Sequence, residues 1–584
     1  MSEEAPPQPA AGPTRVLPGA AHSPGRRILA GGGLGAVAGA IASAGRLDLA
    51  RAGSLDRGGQ DHRLASEIAD AFAPGIGLGL ALGLVIGLAL ARWRLASLLG
   101  VPLRFVERAL IAAGVLTLLG LAAFGLRAIE RPVAGGPNVL LVVLDTTRRD
   151  RISSYGYERP TTPRIDALAA EGTLFMNAYS VSSWTCPSHA SLFTGLYPCA
   201  HGVTQESWSL SPDLLTLAEI LWEEGYRTAG MVGNPMVGSH LGFAQGFDAY
   251  HETWREKGEF PAAEHPAVRH LEGVLEEEDE RPFFAFINLI EVHSPYRSGP
   301  YRGDFDRHPG VELANNHWRA YFTGKVDFSP EELEHLSDLY DGELKYADEI
   351  VGAAVDALAE HGHLDDTVVV VTSDHGEHFG NHGLVDHVFN LYEGNVAIPL
   401  VVRYPSAFDA GARIERAVQL QDVFPTLLAL TGVERFSPET HGERLDEAGA
   451  PGTERALLFS YGYPHQALGA IGQDQESPRL EPFRRRLWAE LAGGVKTIVS
   501  DDGSVEIFDV IGDPSEANDL ASAPEHTERA GRALRALLER VERLSAGHAT
   551  RATFSGEGGA EIEGLDDETR AMMESLGYFE SSGE

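Results

Sequence analysis

The chain of 584 residues carries 84 acidic against 47 basic side chains, a formal net charge of -37, and 43% hydrophobic residues. That balance disfavours a nucleic-acid binder, because no basic face can dominate, while the length leaves room for membrane segments beside a domain with a full core. Two cysteines, Cys186 and Cys199, exclude a disulfide framework and a four-cysteine zinc site.

Residues 1–27 are rich in Pro, Ala and Gly and end in Arg26-Arg27, the composition of a disordered cytoplasmic leader. Three apolar runs follow, Ile28 to Gly45, Ala71 to Ala91 and Ala109 to Leu126. Each is about as long as the roughly 30 Å hydrocarbon core requires, so three transmembrane helices are expected. The first is mostly Gly and Ala, which leaves a signal-peptide or buried-hairpin reading open for it. Arg92, Arg94, Arg104 and Arg108 crowd the short loop between the second and third runs, whereas the arginines of the first loop are interspersed with acids. The arginine bias therefore predicts a multi-pass inner-membrane protein with everything after Arg127 on the extracytoplasmic side.

After the linker Pro132 to Pro137 the pattern changes to alternating strands and helices. Asn138 to Leu144, Phe283 to Ile290, Thr367 to Thr372 and Ile398 to Val402 are continuous apolar runs, as expected of strands buried on both faces. Helical segments lie between them: Thr162 to Glu171, Asp213 to Glu224 and Glu331 to Glu360, each closed by a nearby glycine. This alternation predicts a doubly wound, mixed but mostly parallel α/β sheet. Ligands of such sheets bind beyond the carboxyl ends of the strands. The first run leads into Asp145, the second into Glu291-Val292-His293 and the third into Asp374-His375-Gly376-Glu377. Ser183 to Gly195 reads as a helix whose start carries Thr185, Cys186 and Pro187 and whose end suits Gly195. A hydroxyl at such an amino terminus faces unpaired N–H groups that favour anions.

With these residues in view, Asn138 to about Leu520 resembles the sulfatase branch of the alkaline phosphatase superfamily. The resemblance rests on Asn138 to Asp145, Ser154-Tyr155-Gly156-Tyr157, Thr161 to Ala169, Gly246-Phe247-Asp248, Glu291 to Tyr296 and Thr372 to Glu377. Asp422 to Leu428, Phe508-Asp509 and Asp513 to Leu520 complete it. It implies a catalytic domain over residues 138–435 and a small α+β subdomain over 436–545, followed by an acidic tail at 546–584 with a terminal helix. Pro524 to Leu544 is expected to form an Arg/Glu-rich amphipathic helix, and Asp566 to Phe579 a helix that docks through Met572, Leu576 and Tyr578.

Sulfatases of that branch carry Cys-x-Pro-x-Arg, with the cysteine oxidised to formylglycine. In this register Thr185 stands at the nucleophile position and His189 at that of the arginine, while Cys186 lacks the pattern for modification. Formylglycine is accordingly not expected. The resemblance points to the threonine-nucleophile members, which include phosphoglycerol and phosphoethanolamine transferases and phosphodiesterases. It implies that Asp145, Thr185, Asp374 and His375 hold one divalent cation, a set that suits Mn²⁺, Mg²⁺ or Zn²⁺ better than Ca²⁺. His293 is assigned general-acid or oxyanion contact, His387 a hydrogen bond to the ester oxygens, and Arg148 and His189 the orientation of the nucleophile or the binding of anionic oxygen. The leading expectation is a membrane-anchored hydrolase or transferase acting on a phosphate-type ester of a lipid headgroup or envelope glycan through a Thr185 intermediate. A sulfuric ester hydrolase is the alternative within the enzyme class, and a non-catalytic membrane protein that binds an anionic glycan is the alternative outside it.

Overall fold

The computed structural model describes residues 135–296, 300–313, 317–433, 440–449, 455–521, 537, 539–541, 543–544 and 566–576. The leader and the three apolar runs at 28–45, 71–91 and 109–126 lie outside these residues, as does most of the segment 524–544.

One mixed sheet carries the core. Its strands are β1 (Asn138–Leu144), β2 (Thr173–Phe175), β3 (Arg227–Val232), β4 (Ala249–Glu252), β5 (Phe283–Leu289), β6 (Thr367–Thr372), β7 (Leu400–Arg403) and β8 (Ala412–Ile414). They lie in the order β8-β2-β7-β6-β1-β5-β3-β4, and β7 pairs antiparallel with both of its neighbours while the remaining pairs are parallel. Every residue of β1, β5 and β6 is buried, which is why these strands read as unbroken apolar runs rather than as alternation. The parallel register sets Leu144 beside Leu289 and Val143 beside Thr372. Asp145, Ser373-Asp374-His375 and the turn into His293 therefore leave the sheet at one edge.

β3 escapes a reading based on apolar runs because Arg227 and Gly230 interrupt it. Gly230 is required there, since a Cβ would lie 2.5 Å from the Tyr250 ring.

The helices begin where local chemistry allows. α1 (Pro163–Glu171) has proline in its first turn, and Asp348 accepts the amides of Arg164 and Ile165 at 2.9 and 2.8 Å. α2 (Thr185–Thr194) has Trp184 as its cap and Thr185 as its first helical residue, one position earlier than if Thr185 itself were the cap. Gly195 ends it at φ +71, in the left-handed region that glycine enters without a Cβ penalty. α3 (Leu217–Glu223) is shorter than the expected Asp213 to Glu224 because the Thr216–Glu219 capping box fixes its start. α4 (Pro266–Leu275) covers β3 and β5, and α5 (Pro330–Glu360) opens on a Ser329–Glu332 capping box.

α5 has the length to cross a bilayer, but it is studded with acids such as Glu331, Glu332, Glu334 and Glu349. Among the described residues no helix is long and apolar enough to span a membrane. The expected multi-pass inner-membrane placement is corrected on that finding.

After α6 (Val423–Leu430), a four-stranded antiparallel sheet follows: β9 (Leu457–Tyr461), β10 (Leu487–Ala492), β11 (Val495–Ser500) and β12 (Val505–Asp509). It is tied to the loop after β6 by Lys496, whose fully buried ammonium meets Glu393 at 3.0 Å, Glu516 at 2.7 Å and the Leu391 carbonyl at 3.0 Å. α7 (Asp567–Ser575) closes the described chain, with Met573 buried and Asp566 paired to Arg255.

Candidate metal centre and active site

The strand ends bring Asp145, Asp374 and His375 together, with one potential ligand atom of each within 4.8 Å of the others and all three side chains buried. Each residue is half tied and half open. Asp145 accepts from Asn234 Nδ2 at 2.8 Å and Asn288 Nδ2 at 3.3 Å through Oδ2, whereas its Oδ1 accepts no hydrogen bond. Asp374 Oδ1 accepts the amides of Thr146 and His375 at 3.1 and 2.9 Å, whereas its Oδ2 accepts none. His375 Nδ1 donates to the Gly376 carbonyl at 3.1 Å, which leaves the lone pair on Nε2. Burial, and next the His387 ring, push His375 well below its ordinary pKa, so that lone pair stays available. Burial raises Asp374 to about 6 against the pull of its two amide donors.

This donor set fits a divalent cation. Two orphaned carboxylate oxygens and an unprotonated imidazole nitrogen converge in a fully buried site, and the other atom of each ligand is fixed by a neighbour. Thr185 Oγ1, at the buried start of α2, lies 3.3 Å from His375 Nε2.

The remaining residues surround it. His189 donates from Nδ1 to the Thr185 carbonyl at 2.9 Å, and its Nε2 accepts from Asn288 Nδ2 at 3.4 Å. Burial lowers its pKa, so this is a neutral ring that fixes the first turn of α2 rather than a cation facing an anion. The Arg148 guanidinium binds Asp150 at 2.8 and 2.7 Å, the Glu377 carbonyl at 2.7 Å and Asn381 Oδ1 at 3.1 Å. It is thereby engaged with the loop after β6.

His293 donates from Nδ1 to the Ser294 carbonyl, and burial followed by the His387 ring lowers its pKa. The His387 ring centroid is 5.0 Å from that of His293 and 4.6 Å from that of His375. Burial opposes charge on His387, but Asp386 and Glu377 outweigh it and raise its pKa well above the ordinary value.

Cys186, one residue beyond Thr185, is buried and sends its thiol to the Met236 carbonyl at 3.2 Å. Burial, then Asp145 and Asp374, hold that thiol well above its usual pKa.

Asn234 and Asn288 are the site residues that motif reading passes over. Their signal is a polar residue just after a buried strand, in Val232-Gly233-Asn234, and one inside a buried strand, in Phe286-Ile287-Asn288.

The Sulfatase family model matches residues 137–433, and the chain belongs to the sulfatase family. Individual proteins are similar to this chain over much of its length. An ulvan-active sulfatase of Formosa agariphila is 26% identical over 428 residues, 67% of this chain and 78% of that protein. An N-acetylglucosamine-6-O-sulfatase of Bacteroides thetaiotaomicron is 23% identical over 517 residues, 73% and 90% of the two chains. Arylsulfatase K of Bos taurus is 25% identical over 457 residues, 69% and 82%. Among solved structures, a phosphonate monoester hydrolase of Agrobacterium radiobacter superposes with a TM-score of 0.56 at 21% identity, covering 70% of this chain and 96% of its own. At this identity the likeness establishes the alkaline-phosphatase-like α/β fold alone.

The expectation that the protein has no formylglycine is corrected by these relatives. Sulfatases such as the ulvan-active enzyme and arylsulfatase K typically work with formylglycine and a divalent metal, and the register of a single motif does not outweigh that.

Proposed function

We propose that the protein hydrolyses sulfate esters at the cluster formed by Asp145, Asp374, His375 and Thr185. The observation that carries this reading is the convergence of two half-open carboxylates and a neutral imidazole on a buried helix start in a chain of the sulfatase family. The sulfatase relatives support sulfate over the phosphate-type ester expected from the motif register.

Asp145, Asp374 and His375 would hold the divalent ion, with Thr185 Oγ1 beside it. A divalent ion supplies a lowered pKa to a neighbouring hydroxyl and offsets charge on the ester's anionic oxygens.

The chain's own residues do the rest. Thr185 Oγ1 attacks sulfur in line, and the S–O bond to the alcohol breaks. His293, whose Nδ1–H donates to the Ser294 carbonyl, accepts the Thr185 hydroxyl proton at Nε2 and passes it to the leaving alcohol; it then accepts a proton from the incoming water and returns it to Thr185 Oγ1. That water attacks the same sulfur, releasing sulfate and restoring the Thr185 hydroxyl. His387 contributes a hydrogen bond to the ester oxygens, and His189 keeps the Thr185 carbonyl and the first turn of α2 in place.

A second reading, a phosphate-type ester cleaved through Thr185, is favoured by one observation: the Thr185 hydroxyl, not the Cys186 thiol, touches His375. The test is turnover of an aryl sulfate against an aryl phosphodiester by wild type, Thr185→Ala and Cys186→Ala, with mass analysis of the peptide containing Cys186. Preferred aryl sulfate turnover supports the proposal, and preferred phosphodiester turnover overturns it in favour of the second reading. Sulfate turnover that survives Thr185→Ala and disappears in Cys186→Ala, with an aldehyde in place of the thiol, would move the nucleophile to formylglycine at position 186.

A further inference from the structure

We propose that Glu377, Asp386 and His387 form a second divalent-cation site beside the first. One ligand atom of each lies within 4.8 Å of the others, and all three residues are buried. The second observation is the state of the ligand atoms. Neither carboxylate oxygen of the fully buried Glu377 side chain accepts a well-aligned hydrogen bond, although the Tyr296 hydroxyl and the His387 ring face it. His387 Nδ1 stands 2.9 Å from Asp386 Oδ1 and 3.5 Å from Glu377 Oε1, without the alignment a hydrogen bond needs.

Donors about 2.1 Å from a tetrahedral cation stand about 3.4 Å from one another, so these separations suit ligands of one ion. A single imidazolium is a poor substitute. It can direct one N–H from Nδ1, whereas two buried carboxylates face that atom, and a buried negative charge that is only partly compensated is costly. A dication would cancel both carboxylate charges and occupy the Nδ1 lone pair, leaving the proton of the ring on Nε2 as a donor. Two carboxylates with an imidazole suit zinc or manganese better than calcium, which takes more oxygens. The His387 and His375 rings, 4.6 Å apart, make the two sites neighbours.

This inference goes beyond ester hydrolysis and does not depend on it, because the readout is metal content. The full chain is saturated with Zn²⁺, freed of excess ion and analysed for zinc per chain. Two ions are expected for wild type, one for Glu377→Gln and for Asp386→Asn, one for Asp145→Asn, and none for the Asp145→Asn/Glu377→Gln double variant. One ion in wild type with unchanged content in Glu377→Gln would overturn the proposal and leave the triad as an imidazolium–carboxylate pair. Should the variants fail to fold, Co²⁺ titration of the wild-type chain followed by visible absorption decides the matter. An endpoint at two equivalents supports the second site, and an endpoint at one removes it.

Discussion

Asp145, Asp374 and His375 hang from the ends of β1 and β6, whereas Glu377, Asp386 and His387 belong to the loop that follows β6. In the strand-end cluster every ligand is pinned through its other atom, by Asn234 and Asn288, by the Thr146 and His375 amides, or by the Gly376 carbonyl. In the loop cluster Glu377 is held through its backbone, the amide donating to the Gly394 carbonyl at 3.1 Å and the carbonyl accepting from Arg148 at 2.7 Å, while neither carboxylate oxygen is fixed by a well-aligned donor. The sheet thus delivers a preorganised centre whose geometry does not wait for an ion, and preorganisation is what a reaction centre needs. The loop delivers a group whose charges call for an ion to order them.

The largest effect that tests this contrast is on turnover. Thr185→Ala removes the hydroxyl set against His375 while leaving the strand-end ligands pinned. An aryl sulfate assay should show kcat/KM falling by about 10³-fold or more, with the metal of the strand-end site retained. Loss of that metal together with activity would mean that Thr185 holds the site and does not merely react in it.

Next comes the pinning itself. Asn288→Ala removes a donor to Asp145 and the donor to His189 Nε2 in one step, and Asn234→Ala removes the shorter Asp145 contact at 2.8 Å. Each should weaken strand-end metal binding by about 10- to 100-fold in a chelator competition. A change confined to thermal stability, with metal affinity intact, would show that Asp145 needs no such support.

How far this arrangement was legible in sequence follows from the same contrast. β1, β5 and β6 are continuous apolar runs, and a parallel sheet gives its strand ends a common edge, so Asp145, Asp374 and His375 could be singled out without coordinates. Asn288 was hidden inside the apolar run that marks β5, where a polar residue counts as a blemish in a strand. The loop cluster has no spacing rule at all. It is assembled by His382, Asp386 and Phe389 at φ +56, +68 and +71, left-handed conformations uncommon for residues other than glycine, which His and Asp enter more readily than most but which no spacing pattern marks. The exclusion of formylglycine failed for a different reason: it weighed one short register, whereas the family match extends over residues 137–433. The three apolar runs at 28–45, 71–91 and 109–126 have the length of membrane spans and an arginine bias beside them, and they lie outside the described residues.

The junction of the two clusters gives a smaller test. A Cβ on Gly376 would lie 2.2 Å from the Gly394 carbonyl oxygen and 3.1 Å from the Arg148 side chain. Gly376→Ala must therefore push the loop away from the strand-end site, at a cost of about 1 to 3 kcal/mol in urea unfolding. Zinc content at the loop cluster should drop while the strand-end ion stays. The reverse order of loss would contradict the assignment of which cluster is preorganised.

The smallest effect uses a buried carboxylate that serves no ion. Asp348 spends both oxygens on the Arg164 and Ile165 amides at the start of α1, and burial still raises its pKa from 3.8 to about 7. The native state therefore binds the extra proton between these values, and its stability falls as pH rises through that window, the full penalty being present above about 7. Asp348→Asn cannot ionise. It carries a constant cost for placing an amide where a carboxylate accepted two N–H groups, but it escapes the pH-dependent part. Urea midpoints at about pH 5 and about pH 8 should show wild type losing more than Asp348→Asn on going to the higher pH. Equal losses would mean that the two amides and the positive end of α1 stabilise the carboxylate enough to cancel its burial, and that an acid in this fold needs no cation once both its oxygens are capped.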